Sequence, residues 1–375
     1  MIRHTVNGIR DNNIHLLREC YISKAEDIYD LGFGNLNEEI VTEIPMILPE
    51  IKALGQYHDS AGEMCLRNEI AKYVSKKANK YIFPNQLMVT NGATFAINIL
   101  AIYLNRFRNL KKLLLQEPAY DTAINIFNNY GYVLSSWKYP FNLEDLNVFD
   151  VAYLSFSFHN PSGMCFDVET EKKAKNYLLS NGAYLIEDDP YYFLHTDNRT
   201  LYLPDSDNYF YIGSFSKNLN PSLRIGYIYS SEESIKELII LQKYLISHPN
   251  IVSQVSLYNF LINNDIYSIE YNKAKILQER RSHFEKYIAT EVKSIFSTFE
   301  FNGFYYWGSI DIDFKEKLIS NFIENGLFIL PGDIYFYKPI KRFFFRISIS
   351  NLDKIKIKEV STLLNFLLEN ILRSH

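Results

Sequence analysis

Apolar positions along this chain follow two alternating patterns. From residue 87 onward, short apolar runs ending in polar or glycine-rich turns read as strands: LMVT (87–90), KLLLQ (112–116), YVLSSW (132–137), VAYLSFS (151–157), AYLIED (183–188), FYIGS (210–214) and GYIYS (226–230). Between them, stretches such as GATFAINILAIYLNRF and VETEKKAKNYLLSNG repeat their apolar residues at the spacing of one helix face. The second ends on a glycine suited to closing a helix. This alternation predicts an α/β fold of three layers, a mainly parallel sheet with helices on both faces. Each connection is short enough for a right-handed crossover.

After Ser231 the texture changes. EESIKELIILQKYLISH and IYSIEYNKAKILQERRSHFEKYIATEV predict long helices, the second leading out of the sheet. A smaller α+β unit follows, with FYYWGSI, LFIL and FFFRISIS as strands and LDKIKIKEVSTLLNFLLENIL as the closing helix. The expected division is a large domain over 46–280, a small C-terminal domain over 281–375, and a segment over 1–45 that joins the small domain and covers the site. No repeat or long Pro/Ser linker separates them.

With 47% apolar and 22% charged residues, 375 residues can bury a large core. The net charge of −4 and the interleaving of lysines with acids leave no basic stripe for nucleic acid. Cys20, Cys65 and Cys165 are far apart and lack metal-ligand spacing, so no metal site is expected. The N-terminus lacks a signal-peptide core, and runs such as LLNFLL are too short to span a bilayer. A cytoplasmic protein without membrane contact is the expectation.

In parallel α/β sheets, ligands gather where strand carboxyl ends meet helix N-termini. Asn160 in HNPSG, Asp188 at the end of AYLIED, and Ser214 and Lys217 in GSFSK occupy such places. Gly92, Ala93 and Thr94 fall between LMVT and its helix, where free N–H groups and the helix dipole suit a phosphate.

The segments GQYHDSAGEMCLRNEIAKY, TNGATFA, QEPAYD, HNPSG, IEDDPYYFL, GSFSKNLNPSLRIGY, NGFYYW and FRISIS occur in this order from about residue 30 to the chain end. Together they resemble a class I/II aminotransferase of the pyridoxal 5′-phosphate fold type I superfamily. The resemblance implies that Lys217 forms the internal aldimine with the cofactor and then moves the proton at Cα. Asp188 matches the carboxylate that keeps the pyridine nitrogen protonated, with Glu187 and Asp189 facing the other way if the strand persists. Tyr191 and Asn160 match the pair beside the cofactor's 3′-oxygen. Ala93, Thr94, Ser214, Ser216 and Arg224 would grip its phosphate, and Tyr120 would stack on its ring, although an aromatic there also suits a core.

On the substrate side, Arg346 matches the arginine that clamps the α-carboxylate, joined by Asn160 and Gly34. Arg342 shares its strand face and competes for that role. Tyr57 matches a tyrosine that reaches the neighbouring subunit's phosphate, which implies a homodimer with shared sites; its other reading is a core tyrosine. Asn302 in NGFYYW and Tyr337 in PGDIYFYKP stand where the family often has glycine, so the substrate pocket is unusual.

The expected activity is transfer of an amino group between an amino acid and a 2-oxo acid. Decarboxylases, lyases and oxidases on the same scaffold differ in which Cα bond stands perpendicular to the cofactor ring, and no motif here fixes that angle. A ligand-sensing domain of the kind bacterial regulators fuse to a winged helix-turn-helix is the reading outside enzymes. About thirty residues precede the fold, too few for such a DNA-binding domain. That favours an enzyme.

Overall fold

A computed structural model of the protein describes residues 4–6, 9–11, 19, 28–137, 149–197, 199–297 and 303–373; Cys20 and Asn302 lie outside them. The seven expected strands are β1 (Leu87–Thr90), β2 (Lys112–Gln116), β3 (Val133–Trp137), β4 (Val151–Leu154), β5 (Tyr184–Asp188), β6 (Tyr209–Ser214) and β7 (Gly226–Tyr229). They form one sheet in the order β1-β7-β6-β5-β4-β2-β3. Pairing is parallel from β3 across to β6, whereas β7 runs antiparallel to both β6 and β1.

Successive side chains of a strand enter opposite layers. Leu87 and Val89 of β1 join a core with Leu66, Ile70, Val74, Leu178 and Leu257. Met88, between them, joins Ile97, Leu100, Phe127, Ile235 and Leu238 on the other face. Burial on both sides explains why strands such as β1, β4 and β6 read as apolar runs, whereas the edge strand β3, with Val133 exposed, keeps two serines. The expected helices appear at Ala93–Ile102 and Val168–Ser180, the latter capped by Asp167, which accepts from the Thr170 amide at 2.9 Å. Strand β4 stops at Leu154 although its apolar run continues to Ser157. The residues beyond it are therefore free to border a cleft.

The C-terminal unit has a three-stranded antiparallel sheet of β8 (Tyr305–Asp311), β9 (Leu330–Pro331) and β10 (Arg342–Ser348), with β10 in the centre. The run LFIL does not form one strand as expected. Leu327–Phe328 pairs in parallel with Tyr29–Asp30, while Leu330 and Pro331 pair with Arg346 and Phe345. Helices Ile266–Tyr287 and Lys354–Leu372 back this unit, whose core also takes in Leu31 and Ile40. Among the described residues, no helix is long and apolar enough to cross a membrane.

Candidate active site

The carboxyl ends of β4, β5 and β6 open into a cavity of about 350 Å³, closed from the other side by the C-terminal unit and by Phe33 and Gly34. Its lining brings together Gly34, Ala93, Thr94, Tyr120, Asn160, Asp188, Tyr191, Ser214, Ser216, Lys217, Arg224 and Arg346. These come from positions spread over more than 300 residues of chain.

At one end of the cavity a helix N-terminus faces Arg224. Gly92 caps the helix Ala93–Ile102 with φ +82°, a conformation that favours glycine. A Cβ there would stand 2.8 Å from Nη2 of Arg224. The amides of Ala93 and Thr94 belong to the first turn and have no carbonyl within the helix to bond. Ser214 Oγ accepts from the Ser216 amide at 3.1 Å, and the buried Ser216 hydroxyl has no partner among the described residues. Arg224 likewise has no ion pair among them.

At the cavity floor Asp188 is 7% exposed. Its Oδ2 accepts from the Tyr153 phenol at 2.5 Å, and its buried Oδ1 has no partner among the described residues. Burial pushes its carboxyl up to about 6, against the lowering effect of the Tyr153 bond. The neighbouring acids serve another layer: Glu187 pairs with Lys175 at 2.6 Å, and Asp189 accepts from Ser157 at 3.2 Å. Only Asp188 of the three lines the cavity.

Lys217 reaches the cavity and donates to the Gly34 carbonyl at 2.7 Å. The Tyr191 and Tyr305 hydroxyls lie 3.0 Å apart. Arg346 is 4% exposed; it donates to Asn160 Oδ1 at 2.5 Å and to the Gly32 carbonyl, with its guanidinium 4.4 Å from the Tyr305 ring centre. Arg342, opposite Asp311 at the strand end, is exposed and reaches the Ser309 carbonyl instead. The structure thus separates two arginines that alternation alone placed on one face.

Tyr57 stands apart. It is 90% exposed, edge-on to His248, so it is not a core tyrosine. Tyr153 and Tyr305 were not singled out from the sequence, although both line the cavity. For Tyr153 the sequence offers no local signal, because its place beside the strand that ends in Asp188 follows from strand order.

The donor set fits pyridoxal 5′-phosphate: a cationic and amide-lined pocket for a dianion, an orphan buried carboxylate oxygen for a protonated ring nitrogen, and a lysine in the same cavity. A profile of the family described as aminotransferase class I and II matches residues 26–363. The HTH-type transcriptional regulator NorG of Staphylococcus aureus is 25% identical over 339 residues, covering 85% of this chain and 70% of the regulator. Among solved structures, an archaeal alanine:glyoxylate aminotransferase superposes with a TM-score of 0.83 at 17% identity, covering 97% of each chain. The kynurenine aminotransferase of Pyrococcus horikoshii gives 0.81 at 19% identity, covering 96% of this chain and 95% of the other. At these identities the structures show a shared fold.

Proposed function

The chain belongs to the aminotransferase class I and II family, and from that premise we propose the roles of its individual side chains. The protein is a pyridoxal 5′-phosphate-dependent transferase that moves an amino group between an amino acid and a 2-oxo acid. When bound, the cofactor supplies a carbonyl that bonds reversibly to an amine and a ring that draws electron density from Cα.

Lys217 holds the cofactor covalently at rest and carries the proton at the substrate's Cα during turnover. Asp188 keeps a proton on the ring nitrogen, because a buried carboxylate favours the charged pyridinium beside it. Arg224, Ser214, Ser216 and the amides of Ala93 and Thr94 hold the phosphate, at the helix end prepared by Gly92. Tyr120 flanks the ring, and Tyr191 with Asn160 orients its 3′-oxygen. Arg346 binds the α-carboxylate in two-pronged fashion, with Asn160 and Gly34 beside it. The observation that carries this reading is the convergence of Lys217, Asp188, Arg224 and Arg346 on one cavity. The protein works in the cytoplasm as a homodimer in which Tyr57 reaches the partner's phosphate, a reading supported by its exposure in the single chain.

The test is a half-reaction. Adding amino acids one at a time to the loaded protein should convert the cofactor to its amine form, and a 2-oxo acid should restore the starting spectrum. Release of carbon dioxide, an eliminated group or hydrogen peroxide without the amine form would assign one of the other reactions of this scaffold. Borohydride reduction and peptide mapping should find the cofactor on Lys217; a label on another lysine would remove that assignment.

The regulator relatives favour a second reading, in which the cofactor site senses a ligand. Amino-acid binding that changes the spectrum without forming the amine would support it.

A further inference from the structure

We infer that Tyr153 is a positioning residue that fixes Asp188 in the orientation needed to meet the ring nitrogen of the cofactor. The inference rests on the role proposed above for Asp188.

The two residues sit on adjacent parallel strands. Tyr153 of β4 lies opposite Ile186 of β5, and Asp188 is the last residue of β5. Tyr153 is 3% exposed, with its ring held against Phe127 at 5.6 Å between centroids. Its phenol therefore has a fixed direction, and its bond to Asp188 Oδ2 spans 2.5 Å. A carboxylate on a short side chain turns easily about its last bond, so one fixed donor decides which oxygen faces the cavity. Here Oδ2 is held by the phenol and Oδ1 is left buried and unpartnered.

No other hydrogen bond to the Asp188 carboxylate occurs among the described residues. A buried carboxylate with a single neutral donor keeps a strong demand for a second one. A protonated ring nitrogen meets that demand. The phenol does two jobs at once: it aims Oδ1, and it favours the ionised carboxylate that the pyridinium requires. A water or a mobile side chain in its place would leave the carboxylate free to turn away.

The test compares binding of two ligands to the cofactor-free protein: pyridoxal 5′-phosphate and 1-deazapyridoxal 5′-phosphate, in which C–H replaces the ring nitrogen. The wild type should prefer the natural cofactor, and Asp188→Asn should lose most of that preference. Tyr153→Phe should bind pyridoxal 5′-phosphate roughly ten- to a hundredfold more weakly, the range for a hydrogen bond to a charged group, with the deaza analogue bound as in wild type. Equal weakening of both ligands would make Tyr153 a packing residue and overturn the inference. Unchanged binding of the natural cofactor would overturn it too. If Asp188→Asn keeps the wild-type preference, the assignment of Asp188 itself falls, and the role of Tyr153 falls with it.

Discussion

Asp188 sets the site's needs against those of the fold. Its carboxyl, at 3.8 in a free chain, is pushed up to about 6 by burial. A raised acid contributes stability below its unfolded value and loses it as pH climbs through the folded value. At pH 8 the charged form therefore costs the cofactor-free protein on the order of 3 kcal/mol, at 1.36 kcal/mol per tenfold. Asp188→Asn, which preserves shape and can still accept from Tyr153, should make the cofactor-free protein more resistant to urea at pH 8. That gain should shrink as pH falls through about 6. The same variant should bind cofactor more weakly and abstract the Cα proton orders of magnitude more slowly. A urea midpoint for the variant no higher than wild type at pH 8 would show that the carboxylate is better solvated than its burial implies.

Two elements carry the recognition roles proposed above, and each invites one substitution. The turn from β1 into the helix Ala93–Ile102 depends on Gly92, where alanine would meet both a left-handed backbone and the Arg224 guanidinium. Gly92→Ala should cost about 1 to 3 kcal/mol of stability. It should also narrow the difference in affinity between pyridoxal 5′-phosphate and pyridoxal, because the defect sits at the end proposed to hold the phosphate. Equal losses for the two ligands would place the phosphate elsewhere. On β10, Arg346→Ala should raise the amino-acid KM strongly while leaving the resting spectrum unchanged, and Arg342→Ala should do neither. The reverse result would exchange their roles. Much of this was legible in the chain, since every strand buried on both faces announces itself as a short apolar run. Strand order was not: nothing local tells β7 to insert antiparallel between β1 and β6. The helix Ile251–Asn263 carries no charged residue to mark a solvent face, so its periodicity is faint. The pairing of Tyr29–Asp30 with Leu327–Phe328 joins segments almost a chain length apart, beyond the reach of any pattern. The convergence of residues at strand ends on one cavity was readable because sheet topology gathers such ends. Tyr153 was not, because its role depends on which strand lies beside β5.

At the scale of the whole molecule, the chain exposes large apolar side chains in the stretch that leads to Tyr57. Met46 is 61% exposed, Leu48 71%, Ile51 89% and Tyr57 90%, and Tyr244, on the helix that leads to His248, is 82% exposed. Large apolar side chains clustered on a surface mark contact with another molecule. A second copy of this chain is the occupant proposed above, and a twofold interface would make its two shared sites equivalent. Lys217 lines the cavity of its own chain, whereas Tyr57, 90% exposed, is not among that cavity's lining residues. Lys217→Ala and Tyr57→Ala proteins should therefore each be severely impaired alone. Unfolded together and reassembled, half of their dimers are mixed, each with one site carrying both defects and one carrying neither. Activity should return to at most about one quarter of the wild-type value by that arithmetic. Verified mixed dimers that stay inactive, while wild-type protein treated alike recovers, would overturn the shared-site reading.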